Sequence, residues 1–251
     1  MPIILDALRV FEDAGFRIRT GLNPVHFDNR RDAMFTALYR NGRLAPGVGL
    51  AVEEVYFLEC LFAHMRPQRV LIIGNAFGWS TVVLSLLNPN AQVLALDSAE
   101  DMGAARGIEL TNFLIQRSGL NARAVKGTSP GDVAPMVRQH LAGPVDFALI
   151  DGDHTEHQQR LDFDAVRAVA APDCLYLFHD VINYSMTEGF RQIAATSGLE
   201  GRVLERTPSG LGVLHSASLP EGAQRAIAGF AEHAEHVDDL RRRIEAGETS
   251  L

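Results

Sequence analysis

From Val70 onward, short runs of β-branched and aliphatic residues alternate with longer amphipathic stretches, the order that a parallel sheet wrapped by helices requires. Val70-Leu71-Ile72-Ile73 reads as a buried strand, Gly74-Asn75-Ala76-Phe77-Gly78 as a tight turn, and Trp79 to Leu87 as the helix that follows. The same pattern predicts strands over Val93 to Leu96, Ala122 to Val125, Val145 to Ile150 and Cys174 to Phe178. Between and after them it predicts helices over Ala99 to Ser118, Asp132 to Leu141, His157 to Ala170 and Met186 to Thr196. Arg202 to Arg206 and Gly212 to Ser216 flank a Thr207-Pro208-Ser209-Gly210-Leu211 turn, a hairpin that inserts one antiparallel strand. The fold class expected is α/β: a doubly wound, mostly parallel seven-stranded sheet with one antiparallel strand.

Upstream, Ile4, Leu5, Leu8 and Phe11 fall at helical spacing until Gly15 ends the pattern. A turn-rich connection through Gly21, Asn23 and Pro24 leads to a second helix over about Arg31 to Tyr39. A third helix spans Gly47 to Met65, and Pro67 closes it. The division expected is an N-terminal helical cap or lid over 1–66, a core over 67–218 and a C-terminal element over 219–251. That last element reads as a charged helix from about Glu221 to Ala246.

Composition narrows the function. With 251 residues and 47% hydrophobic content, a sizeable core is assured. The net charge of −8 and the lack of a basic stripe argue against a nucleic-acid partner; Arg241-Arg242-Arg243 is short and flanked by acids. No apolar stretch is long enough to span a bilayer, which argues against a membrane partner. The first fifteen residues lack a basic start, and Asp6 interrupts their apolar run, unlike a signal peptide. Cys60 and Cys174 lie in apolar segments and read as free thiols of a reducing compartment. A soluble cytoplasmic protein is expected, and its terminal helices offer surfaces through which two chains pair as a homodimer.

In an open parallel sheet, ligands bind beyond the carboxyl ends of the strands, where strand order reverses. Five polar features fall there: the Gly74 turn, Asp97, Thr128-Ser129, Asp151-Gly152-Asp153-His154, and His179-Asp180. The turn is G-x-A-x-G rather than G-x-G-x-x-G, so it suits a ligand without a pyrophosphate. Asp97 can accept both hydroxyls of a ribose, or it can cap the helix expected near Ala99. Phe77 and Trp79 are either pocket walls or, more in keeping with aromatics, packing against the sheet. Asp153 and Thr155 can cap the helix near His157, which would leave His154 as a solvent-exposed loop residue.

The succession VLIIGNAFGWST, LALDSAE, VKGTSPGD, FALIDGDHT and YLFHDV resembles the class I S-adenosylmethionine-dependent methyltransferases over roughly 70–216. Within them, IDGDH and FHDV resemble the metal-assisted O-methyltransferases of the catechol type and those acting on antibiotic and sugar hydroxyls. The resemblance implies a Rossmann-like methyltransferase fold with S-adenosylmethionine as cofactor. It implies that Gly74, Asn75, Ala76 and Gly78 line the methionine part, that Ser80 holds its carboxylate, and that Asp97 binds the ribose. Thr128 and Ser129 take the place of the adenine contacts. Asp151 and Asp180 match metal-binding carboxylates, with Asp151 also lining the cofactor site and serving catalysis. His154 matches the general base. His179 stands where some relatives carry a carboxylate.

Methyl transfer from a sulfonium to a small-molecule hydroxyl needs a base or a metal to make the oxygen nucleophilic, and histidine titrates where such a base must. Two aspartates suit a hard divalent cation such as Mg²⁺ or Mn²⁺, whereas His179 as a direct ligand points to Mn²⁺, Fe²⁺ or Zn²⁺. Two alternatives stand beside the methyltransferase. One is a catalytically degenerate fold acting as a binding or scaffold module. The other is a nicotinamide-dependent oxidoreductase, which the missing dinucleotide fingerprint disfavours.

Overall fold

The computed structural model describes residues 2–22, 35–40, 43–44, 48–100, 103–233, 235–236, 239 and 242–243. The chain opens with α1 (Ile3–Glu12), β1 (Arg17–Arg19), β2 (Ala37–Arg40), β3 (Arg43–Leu44) and α2 (Val52–Phe62). The alternating part runs β4 (Arg69–Ile73), α3 (Trp79–Leu87), β5 (Gln92–Asp97), α4 (Ala104–Ser118), β6 (Ala122–Lys126), α5 (Val133–His140), β7 (Val145–Ile150), α6 (Glu156–Arg167), β8 (Ala170–Phe178) and α7 (Thr187–Ser197). β9 (Glu200–Leu204), β10 (Leu211–His215) and α8 (Glu221–Phe230) follow.

Seven strands form one sheet in the order β6-β5-β4-β7-β8-β10-β9. β10 runs antiparallel to both of its neighbours, and the pairings from β6 to β8 are all parallel. The α/β class and the single antiparallel strand expected from the sequence are present. Strand order reverses between β4 and β7, so the loops leaving these two strands diverge and open a crevice at their carboxyl ends.

Both faces of the sheet are covered, which explains why the central strands are apolar throughout rather than alternating. Along β4, Val70 and Ile72 enter one core with Phe11 of α1, Leu58 and Leu61 of α2, Val82 of α3 and Ile227 of α8. Leu71 and Ile73 point the other way, to Val133 and Val137 of α5, Phe163 and Val166 of α6, and Phe190 and Ile193 of α7. Phe77 and Trp79 are buried against Phe11, with ring centroids 6.1 and 5.8 Å away, so both pack rather than line a pocket. Among the described residues, no helix is long and apolar enough to cross a membrane. Cys60 and Cys174 are free thiols.

Three expectations change. The helix expected over 31–39 is strand where it is described, at Ala37–Arg40, while 31–34 lie outside the described residues. Helix-compatible Ala37 and Leu38 pair instead with Arg19 and Ile18 of β1, and the Arg19 guanidinium lies 4.2 Å from the Tyr39 ring centre. Tertiary pairing overrides propensity here. The helix expected from Ala99 begins at Ala104. The last expected helix is interrupted after Phe230, where Ala231 turns extended; residues 235–236, 239 and 242–243 are helical again, and 234, 237–238, 240–241 and 244–251 lie outside the described residues.

Since α1 is part of the main core, Phe11→Ala should cost about 3–5 kcal/mol. Urea unfolding checks this; a loss under about 1 kcal/mol would show α1 to be peripheral.

Candidate active site

The crevice is built around two backbones in contact. Gly74 donates its N–H to Leu96 carbonyl at 2.8 Å, and Asp151 donates to Ile73 carbonyl at 2.9 Å. Gly74 has φ +92°, and a Cβ on it would overlap the Asp151 carbonyl oxygen, so glycine is required on both counts. Beyond it the chain turns sharply through Ala76, at φ +45°. The N–H groups of Asn75 and Ala76 both donate to Asp97 Oδ2 at 2.9 Å, and Ala99 N–H donates to Asp97 Oδ1 at 2.9 Å. Asp97 thus ties the turn to its own loop and does not cap α4.

The predicted turn residues take different roles. Asn75 is buried; its amide donates to Thr111 Oγ1 at 2.9 Å, and its Oδ1 accepts from Thr81 at 2.9 Å. Its side chain therefore locks the turn onto α3 and α4 instead of facing the crevice. Gly78, at φ +89°, lies against Thr111, where a Cβ would overlap the hydroxyl. Ser80 is buried in the first turn of α3. In the loop after β6, Thr128 N–H donates to Asp132 Oδ2 at 2.8 Å and the Ser129 carbonyl accepts from Gln158 at 3.2 Å. Thr155 is the N-cap of α6, its Oγ1 accepting from Gln158 N–H at 3.1 Å.

The loops after β7 and β8 bring Asp151, His154, His179 and Asp180 together. Asp151, His154 and Asp180 each offer a ligand atom, and these atoms all lie within 4.8 Å of one another. His154 Nε2 is 3.1 Å from Asp180 Oδ2 and 3.6 Å from Asp151 Oδ1. His179 Nδ1 is 3.1 Å from Asp151 Oδ1 and 3.2 Å from Asp180 Oδ2. Despite these distances, His154 Nε2 and His179 Nδ1 are buried and make no directed hydrogen bond. Asp180 holds its position at φ +58°, with Asn183 donating to its Oδ1 at 3.1 Å. The Tyr184 ring stacks on His154 at 4.1 Å and 13°.

Two participants escaped the sequence reading. Glu54 of α2 is fully buried; its Oε2 lies 3.0 Å from His179 Nε2 and accepts Ala51 N–H at 2.8 Å. Its Oε1 accepts Ser209 N–H at 3.0 Å and the Ser209 hydroxyl. A signal for Glu54 existed, since it shares the i, i+4, i+7 row with the buried Leu58 and Leu61. Ser209 sits in a hairpin turn, where serine is ordinary.

The charges shift one another. Burial opposes a charge on His154, but Asp151 and Asp180 outweigh it and push its pKa up to about 9. Burial also opposes a charge on His179, and the Asp151 and Glu54 carboxylates raise its pKa well above the usual imidazole range. Burial works to raise Asp180 and Asp151; the two histidines overcome it and hold both carboxyls below the usual range.

Residues 71–181 match a family model described as a methyltransferase domain. That match spans less than half of the chain, and the seven-stranded sheet has the Rossmann-like methyltransferase fold. Three of the solved structures that resemble it illustrate the likeness. Cofactor-bound Rv0187 from MTB shares 17% identity over 86% of this chain and 89% of that one, with a TM-score of 0.57. The O-methyltransferase TomG from Streptomyces achromogenes, involved in tomaymycin synthesis and in complex with SAM, shares 12% over 86% and 91%, with a TM-score of 0.56. The O-methyltransferase from Bacillus cereus in complex with SAH shares 18% over 66% and 82%, with a TM-score of 0.52. No curated protein matches the chain in sequence.

The raised pKa of His154 favours the folded state while the ring is protonated. That contribution is full below the unfolded value near 6.5 and is lost as pH rises through about 9. The metal-free His154→Gln variant should therefore show a shallower decline of urea midpoint across that window than the wild type; an identical slope would contradict the coupling.

Proposed function

We propose that the protein transfers a methyl group from S-adenosylmethionine to a hydroxyl of a small molecule, with divalent-cation assistance and His154 as general base. One observation carries this reading. The glycine turn of the methyltransferase core touches, through Gly74 and Asp151, the loop that holds the carboxylate and imidazole cluster.

On this reading the turn over 74–78 receives the methionine part, Ser80 its carboxylate, Asp97 the ribose, and Thr128 and Ser129 the adenine. The bound molecules of the Bacillus cereus and TomG structures support that choice of cofactor. A divalent cation fits the residues present, because the Asp151 and Asp180 carboxylates lie together and the buried His179 Nδ1 beside both has no hydrogen-bond partner. Asp151 and Asp180 would hold it, and it would lower the pKa of a bound hydroxyl. Two protons on the imidazoles and one dication supply the same charge against Glu54, Asp151 and Asp180. Binding should therefore release protons and tighten as pH rises.

In the reaction a bond forms between the acceptor oxygen and the methyl carbon as the carbon–sulfur bond breaks, leaving the neutral thioether. The hydroxyl proton passes to His154 Nε2. A cation held by Asp151 and Asp180 would weaken the field that keeps the proton on His154, and His154 accepts the hydroxyl proton in its neutral form. Tyr184 fixes the plane of the ring by stacking on it.

Calorimetry with S-adenosylhomocysteine should give saturable one-to-one binding; none, with or without divalent cation, would sink the reading. His154→Ala should lower turnover about 10²–10⁴-fold with cofactor affinity little changed. Unchanged turnover on the same acceptor would remove the base assignment.

A further inference from the structure

Glu54 is a buried carboxylate whose four donor groups, from three residues, define its chemistry. Ala51 and Ser209 bring backbone N–H groups that can only donate, and the Ser209 hydroxyl donates as well. His179 Nε2 completes the set at 3.0 Å, and this contact, unlike those of Nδ1, is a directed hydrogen bond. A bare nitrogen lone pair facing a buried carboxylate would be repulsive, so Nε2 carries a hydrogen. The other ring nitrogen then faces Asp151 Oδ1 and Asp180 Oδ2 at 3.1 and 3.2 Å, off the hydrogen-bond axis of both. Ligands about 2.1 Å from an octahedral cation and adjacent to one another stand about 3 Å apart, which is the spacing of these donors.

We propose that Glu54 is a positioning residue that holds His179 with its proton on Nε2 and its Nδ1 lone pair on the Asp151 and Asp180 site, making His179 a nitrogen ligand. The proposal rests on the cation reading above and deepens it by naming the ion class. One imidazole added to two carboxylates shifts the preference from Mg²⁺ towards borderline ions such as Mn²⁺ and Fe²⁺. A carboxylate behind a ligating histidine orients the ring and raises its basicity. Glu54 also gives α2 and the β9–β10 turn, through Ser209, a direct bearing on the site.

The test titrates the full-length wild type and the Glu54→Gln, His179→Asn and His154→Gln variants with Mn²⁺ alone and with Mg²⁺ alone. Spin-echo spectra of the Mn²⁺-loaded proteins report imidazole nitrogen on the ion. Nitrogen modulation should be present in the wild type, persist in His154→Gln and vanish in His179→Asn. In Glu54→Gln the Mn²⁺ affinity should fall about tenfold to a hundredfold and the Mg²⁺ affinity less, so the Mn²⁺/Mg²⁺ ratio contracts. Equal losses for both ions would mean that Glu54 is merely structural, and would overturn the proposal. Mn²⁺ bound by the wild type without the His179 signal would overturn it and leave the cation reading standing. Failure of the wild type to bind either ion would remove that reading and the proposal together. Should Glu54→Gln not fold, ¹⁵N spectra of histidine-labelled wild type loaded with Zn²⁺ decide: Nε2–H with an unprotonated Nδ1 on His179 supports the proposal, and a proton retained on Nδ1 overturns it.

Discussion

Three carboxylates and two imidazoles share a largely water-free space, and that electrostatic constraint governs the site. Glu54 is fully buried, and Asp151 and Asp180 are mostly so. An uncompensated buried charge would cost several kcal/mol. Glu54 is compensated by four donors, whereas Asp151 and Asp180 face ring nitrogens that do not hydrogen-bond to them. The cluster is thus complete at its Glu54 end and open at its Asp151 and Asp180 end.

Topology places this cluster beside the glycine turn. Strand order reverses between β4 and β7, and the sheet brings Gly74 and Asp151 into backbone contact. Asp97 holds the turn open by accepting three backbone N–H groups. The Asn75, Thr81 and Thr111 side chains clamp it from behind. The part of the turn facing the crevice is consequently backbone, as close approach to a ligand demands. The same arrangement brings the cluster to one end of the turn, through the contact of Gly74 with Asp151.

Much of this was legible in the residues. Apolar runs ending in Gly74, Asp97, Asp151 and His179-Asp180 announced parallel strands and put chemistry at their carboxyl ends. The β-structure near Arg17 and Ala37 was not legible, because the pairing is long-range and Ala37 and Leu38 suit a helix equally well. Glu54 lay hidden for a related reason. Its position on the buried row of α2 was visible, but its partner is 125 residues away in sequence. Asn75 was legible as a turn residue and not as a clamp, because Thr81 and Thr111 reach it only through helix packing.

The central claim is that one crevice holds both the methyl donor and a cation between Asp151 and Asp180. Nuclear relaxation of S-[methyl-¹³C]adenosylmethionine in the presence of Mn²⁺ addresses it directly. Strong paramagnetic broadening of the bound methyl in the wild type, abolished in Asp151→Asn and Asp180→Asn variants that still bind the cofactor, is the predicted result. A bound methyl that stays sharp while Mn²⁺ occupies the protein would contradict the account.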